Sequence, residues 1–354
     1  MDGARQWDWW LLGAALALVG ASMVAMMSAA ATVHDTLIAR HALWMLFGII
    51  LCGLVGCLPA PRVVGSAALL YGVSVASLLL VMIAGTVRLG ATRWLSLFGV
   101  SLQPSELAKL ATVAVLARYL AGQPHPLPSR VILTSLVLSG APLLLVFFQP
   151  DLGSASILGV IWLGMIWVGG ASRRTLAVIG ACVVMAIPVG WHVLKAYQRA
   201  RLLAFLNPHA DPLGAGYTII QSTIAMGSGG LWGRGWLSGT QHQLQFLPEH
   251  HSDFIFSVIG EEWGWFGCLA VIVAFGVLLS RINRLGVEAP DDHTRLVAAG
   301  CFSWIGYQAC ANMGMVIGLL PVVGVPLPFV SYGGSSMVTL WAALGILLAL
   351  RRAR

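Results

Sequence analysis

The chain has 354 residues, 58% of them hydrophobic and 9% charged, against about 25% charged residues in an ordinary soluble protein. That composition excludes a soluble enzyme. The formal charge of +7 would suit nucleic acid in a soluble chain, but here the cations fall in short groups between apolar runs, as topology markers do, so no nucleic-acid partner is expected.

Runs of about 20 mostly apolar residues, the length that crosses a bilayer, predict ten spans. They are Trp9–Thr32, Leu43–Leu58, Val63–Val87, Ser105–Ala121, Val131–Phe148, Gly153–Ala171, Thr175–Leu194, Phe254–Ser280, Leu296–Leu320 and Ser331–Leu350. The chain therefore reads as one all-α polytopic membrane domain, 1–354: a bundle of about ten transmembrane helices with a long outer loop, 195–253, between the seventh and eighth. Ser28-Ala29-Ala30-Ala31 mimics a signal-peptidase site, but the apolar run before it is too long for a signal sequence, so it reads as a retained helix. The six cysteines lie inside apolar segments without a CxxC and read as small buried hydrophobes.

Orientation follows from the arginines. With the N-terminus inside, the inner segments hold Arg5, Arg62, Arg118, Arg130, Arg173, Arg174, Arg281, Arg284, Arg295, Arg351, Arg352 and Arg354, which places both termini in the cytoplasm. Removing inner Asp2, Asp8, Glu288, Asp291 and Asp292 leaves Asp35, Glu106, Asp151, Asp211, Glu249, Asp253, Glu261 and Glu262 at or near the outer half. Charge at membrane depth is costly, so these acids are functional candidates.

The densest group is Phe246-Leu247-Pro248-Glu249-His250-His251-Ser252-Asp253-Phe254-Ile255-Phe256, which opens the eighth span. Ser252 or Asp253 could merely cap that helix, yet Glu249 and two histidines exceed what a cap requires. A Ser-His-Asp hydrolase is discounted, because adjacent residues rarely face one another as a triad and no Gly-x-Ser-x-Gly elbow exists. Glu106 and Lys109, three apart at the start of the fourth span, can form a structural ion pair that neutralises both or, equally, contact substrate. Asp151 reads as a cap or loop organiser more than a catalyst. In the outer loop, Arg199 and Arg201, then Arg234 within Gly227–Trp236, suit a diphosphate or, equally, anionic lipid headgroups. The glycines around Arg234 would let backbone N–H groups approach such an anion.

Taken together, these motifs carry a resemblance. Arg93-Trp94, Gln103-Pro104-Ser105-Glu106-Leu107-Ala108-Lys109, Gln149-Pro150-Asp151-Leu152-Gly153, Gly214 to Gln221, Leu247-Pro248-Glu249 to Phe256 with Glu261-Glu262, and Leu327–Ser335 occur in order. The chain resembles the SEDS family of bacterial peptidoglycan polymerases over essentially its whole length. Gly233-Arg234-Gly235-Trp236 with Gly239-Thr240-Gln241 looks like the rod-shape RodA branch more than the divisional FtsW branch; Ser252 stands where the family usually has threonine.

The resemblance implies a lipid II glycosyltransferase of the cytoplasmic membrane, serving cell elongation. It implies work with a class B penicillin-binding protein as transpeptidase and with other elongation-complex proteins. It matches Asp253 to the family's essential aspartate, the general base. Arg199, Arg201 and Arg234 are expected at the diphosphate, and Arg93, Glu106, Lys109 and Glu249 around the substrate cavity. No tightly bound cofactor is expected; cations, or a divalent metal such as Mg2+ or Mn2+, would assist the diphosphate. A lipid flippase or transporter and a non-catalytic scaffold are the rival classes. The first should show internal repeats, which are not visible, and the second would not need an acidic, arginine-rich outer cavity.

Overall fold

The computed structural model describes residues 7–29, 35–88, 91–97, 100–249 and 251–352. Asp2, Arg5, His250 and Arg354, and positions 30–32 of the first expected span, lie outside the described residues. The ten expected spans appear as α1 (Trp9–Ala29), α2 (Asp35–Gly56), α3 (Ala60–Ala84), α4 (Pro104–Leu120), α5 (Ser129–Phe148), α6 (Leu152–Val168) and α7 (Arg173–Val193), then, past the long loop, as α11 (Ile255–Val287), α12 (Asp292–Val316) and α13 (Gly334–Arg352).

Seven of these helices are long and apolar enough to cross a membrane. The other three deviate for physical reasons. Helices α4 and α6 have 17 residues each, about 26 Å of rise, slightly short of a bilayer core. Helix α12 carries Asp292, His293, Arg295, Gln308 and Asn312, and it can do so because much of it, like most of α4, is buried by other helices instead of facing lipid. Helix α7 is the opposite case, with no buried residue at all. Helix α2 begins eight residues before the expected Leu43, because His41 in its early turns is hidden from lipid and pairs with Ser22 of α1 at 2.7 Å.

The two long loops are structured. After α3 the chain forms a small antiparallel sheet, β1 (Thr86–Arg88), β2 (Ala91–Leu97) and β3 (Val100–Leu102), in the order β1-β2-β3. The 195–253 segment holds α8 (Ala196–Leu206), a 3-10 turn at Pro208–Ala210, α9 (Tyr217–Gly229) and the short α10 (Thr240–Gln243).

Helix α11 is broken at Gly264, whose φ of 63° and ψ of −155° leave the helical region. A break strands backbone donors and acceptors that cannot remain unpaired at membrane depth. The 229–235 loop supplies the replacements. Arg234 and Gly235 donate N–H to the carbonyls of Glu261 and Glu262, both at 3.0 Å, while Trp265 donates to the carbonyl of Gly230 at 2.9 Å. A side chain at Gly264 would run into the backbone of Leu231 and Gly233, so both the conformation and the approach demand glycine.

Candidate active site

Asp253 lies two residues ahead of α11, in a turn tied down by backbone bonds. The carbonyl of Glu249 accepts N–H groups from Ser252, Asp253 and Phe254 at 3.1, 3.1 and 3.3 Å. The segment between α12 and α13 holds the same turn from the other side: the Ser331 hydroxyl donates to the carbonyl of Ser252 at 2.5 Å, and the N–H of Tyr332 to that of His251 at 3.0 Å. From α12, Asn312 donates one amide hydrogen to the carbonyl of Asp253 at 2.8 Å and the other to that of Val325 at 2.7 Å.

The capping alternative fails. The N-cap of α11 is Phe254, without a side-chain cap bond. Among the described residues nothing donates a hydrogen bond to the Asp253 carboxylate, although its backbone is fixed on every side. Burial pushes its carboxyl up to about 6; the nearby Glu249 and Asp151 carboxylates add to the rise, and Arg201 and Arg93 oppose it. A carboxylate so placed is a stronger base than an ordinary aspartate yet remains mostly ionised at neutral pH.

The four charges acting on Asp253 come from four places. Glu249, at φ 52°, holds Ser252 Oγ at 2.9 Å and keeps its carboxylate largely exposed. Arg201, on α8, faces the carboxylate across Gly324: a Cβ at Gly324 would stand 3.5 Å from Asp253 Oδ2 and 3.9 Å from Arg201 Nη1. Gly324 has φ of 68°, so any side chain there would be both strained and in the gap. Asp151 caps α6 through the N–H of Ser154 at 3.1 Å, as its position suggested. Arg93, on β2, donates to the carbonyls of Gln149, at 3.2 Å, and Pro150 and stands 4.0 Å from Asp151, so it organises the turn before α6.

The remaining sequence candidates are not gathered at this carboxylate. Arg199 donates to the carbonyl of His192 at 2.8 Å. Arg234 donates to Thr240 Oγ1 at 3.0 Å; its own N–H and that of Gly235 serve the broken α11 and that of Gly233 goes to the carbonyl of Gly229, so these three are not open to an anion as the sequence suggested. Glu106 and Lys109 are fully buried and paired at 2.6 Å. Lys109 also donates to Gln308 Oε1 at 3.2 Å, and Gln308 passes the contact on to the carbonyl of Pro326 at 2.8 Å. This pair therefore holds the segment that carries Gly324 and faces away from open space.

Gln308 and Asn312 were missed by sequence reasoning. With Trp304, whose indole donates to Gln308 at 2.8 Å, they lie four residues apart on one face of α12, a polar stripe in an apolar helix that was the available signal.

Fold and site together define a polytopic membrane protein with a carboxylate, Asp253, that is fixed through its backbone, accepts no hydrogen bond from a described residue, and is opposed by arginines. The chain belongs to the FtsW/RodA/SpoVE family of cell cycle proteins, whose signature matches residues 6–354. It is similar to the peptidoglycan glycosyltransferase MrdB of Escherichia coli strain K12, 43% identical over 296 residues that cover 83% of this chain and 80% of the relative. It is also similar to the stage V sporulation protein E of Bacillus subtilis, 39% identical over 279 residues, 78% of this chain and 76% of the relative. Among solved structures, a peptidoglycan synthase complex that coordinates polymerization and crosslinking matches with a TM-score of 0.85 and 34% identity over 98% of both chains. The rod shape determining protein RodA of Thermus thermophilus matches with a TM-score of 0.74 and 29% identity over 98% of this chain and 97% of that one.

Proposed function

We infer that this chain is a peptidoglycan glycosyltransferase of the elongation machinery, polymerising lipid II into glycan strands with Asp253 as general base. The observation that carries the reading is the Asp253 carboxylate: fixed through its backbone, bonded by no described donor, raised to about 6 by burial, and opposed by Arg201.

The diphosphate on the donor sugar is already an anionic leaving group, so no acid is needed to protonate it and one carboxylate suffices, unlike the carboxylate pair of a glycosidase. Asp253 accepts the proton of the acceptor sugar's 4-hydroxyl. The oxygen attacks the donor anomeric carbon from the face opposite the diphosphate, the carbon–oxygen bond to the diphosphate breaks with its electron pair on that oxygen, and α becomes β. Arg201 is the cation best placed to receive the departing charge, with Arg199 and Arg234 as outlying contacts along the loop. A divalent cation such as Mg2+ or Mn2+ would assist the diphosphate when bound, and no step here depends on one.

In this reading the Asp253 end of the bundle faces outward and both termini are cytoplasmic. The partner is a class B penicillin-binding protein, in keeping with the synthase complex that the fold matches. Purified protein given lipid II, without ATP or an ion gradient, should form glycan polymer, and the Asp253→Asn protein should form none. No polymer from folded protein, alone and with its partner, would overturn the assignment.

A further inference from the structure

Arg201, the cation that faces Asp253 across Gly324, is carried by an arm that the bundle holds loosely. Its helix α8 follows α7, which buries no residue, and α8 itself buries only Gln198 and Ala204. Arg201 is exposed, and among the described residues it makes no hydrogen bond and no ion pair. A guanidinium on a long flexible stem loses entropy when it is ordered, so a fixed contact is needed to keep its charge in one place.

Tyr197 supplies that contact with both ends of its side chain. It precedes Arg201 by one helical turn on α8 and sets its ring centre 5.9 Å from the guanidinium carbon, within the range at which a cation is drawn to an aromatic face. Its hydroxyl donates to the carbonyl of Pro150 at 3.2 Å. Among the described residues this is the one side-chain hydrogen bond that ties α8 to the rest of the bundle, since Arg199 reaches only His192 of α7 and Gln198 only the N–H of Lys195. The far end of the bond is well fixed. Arg93 donates to the same carbonyl, and Asp151 beside it caps α6.

We propose that Tyr197 positions Arg201 for glycosyl transfer: its hydroxyl fastens α8 to the 149–151 turn, and its ring carries the guanidinium opposite Asp253. Tyr197 is a positioning residue, acting through Arg201. The inference rests on the reading of Asp253 as the base and Arg201 as the cation that receives the departing charge. A consequence for pH follows from the charges around Asp253. Glu249 and Asp151 raise its pKa, Arg201 and Arg93 lower it, and His251 stands 3.9 Å from Glu249. Once Arg201 drifts away it no longer opposes the rise, so Asp253 ionises only at higher pH and the acid limb of the rate moves upward.

The test follows polymerisation of saturating lipid II by the full chain across the acid limb, for wild type, Tyr197→Phe, Arg201→Gln and the double variant, with thermal melting of each. Tyr197→Phe keeps the ring and loses the hydroxyl. It should leave the melting of the bundle near that of wild type, lower the rate about threefold to tenfold, as loss of one hydrogen bond does, and shift the acid limb to higher pH. Arg201→Gln should shift the limb in the same direction, and Tyr197→Phe added to it should change neither rate nor limb further. A slower Tyr197→Phe protein with its acid limb unmoved, a further loss in the Arg201→Gln background, or wild-type behaviour of Tyr197→Phe would each overturn the inference. An Arg201→Gln protein with the wild-type rate and limb would instead sink the assignment of Arg201 itself, and this role of Tyr197 with it.

Discussion

Asn312 and Asp253 are joined by a 2.8 Å hydrogen bond from the Asn312 amide to the Asp253 backbone carbonyl, and the Asp253 side chain has no described donor of its own. Position is thus fixed through the main chain and basicity is left to the side chain. Asn312→Leu removes the donors to two carbonyls, Asp253 and Val325, at a cost of about 1–3 kcal/mol for each group left unsatisfied. The variant should unfold at lower temperature and polymerise more slowly at saturating lipid II. A wild-type rate with lowered thermal stability would show that Asn312 serves packing alone.

The pH dependence follows from the same carboxylate. Burial and the neighbouring carboxylates raise Asp253 to about 6, and a base must be ionised to act. Polymerisation should therefore fall about tenfold for each pH unit below that value and level off above it. A rate that stays flat down to pH 4.5, in folded protein, contradicts a base with a raised pKa.

Stability should respond in the opposite sense. The folded-state value lies above the ordinary 3.8, so the contribution of this group is fully present below about pH 4 and is lost as pH rises through about 6. Removing the ionisable group should then leave Asp253→Asn at least as heat-stable as wild type at pH 7.5, while its rate drops by about 10²–10⁴. A large loss of stability would assign Asp253 a structural role.

Asp253 was legible in the sequence because a charge at the mouth of an apolar run is conspicuous and its neighbours exceed a cap. Asp151 was legible for the simpler reason that a cap is local. What depended on distant partners was not. The glycines around Arg234 read as an anion cradle because the break at Gly264, which consumes the N–H groups of Arg234 and Gly235, lies some thirty residues away along the chain. The second span was expected to start only at Leu43, because Ser22, which pairs with His41 in the earlier turns, belongs to another helix. Gly324 stood in a plain apolar stretch, and only the fold sets it between Asp253 and Arg201.

That placement makes Gly324 a sharp probe. Gly324→Val would force a β-branched residue to φ 68°, a strain of about 1–3 kcal/mol, and would push side-chain atoms between the carboxylate and the guanidinium. Polymerisation should fall at least tenfold with the bundle still inserted, and Gly324→Ala should fall between the two. Full activity in Gly324→Val would remove Arg201 from the reaction.

Glu106 and Lys109 can be separated from substrate contact by charge exchange. Lys109 reaches both Glu106 and Gln308, so Glu106→Lys with Lys109→Glu sets a carboxylate against the Gln308 carbonyl oxygen and does not restore the link to Pro326. The exchange should remain inactive and poorly folded, since breaking a buried pair costs about 3–5 kcal/mol. Lys109→Met should lower thermal stability in step with activity. A Lys109→Met protein as stable as wild type but inactive would return Lys109 to the substrate.

Orientation is testable from both faces. The arginine distribution and the outward chemistry of lipid II polymerisation require the 195–253 segment outside and the α11–α12 turn inside. Ser238, in the first, and Asn283, near the end of α11 just before that turn, are exposed. Three native cysteines, Cys57, Cys182 and Cys310, are exposed as well, so the labelling background must be cysteine-free. In intact spheroplasts an impermeant maleimide should modify Ser238→Cys at once and Asn283→Cys only after the membrane is opened. The reverse order would invert the topology, put Asp253 on the cytoplasmic side, and leave the carboxylate on the wrong face of the membrane for building a wall.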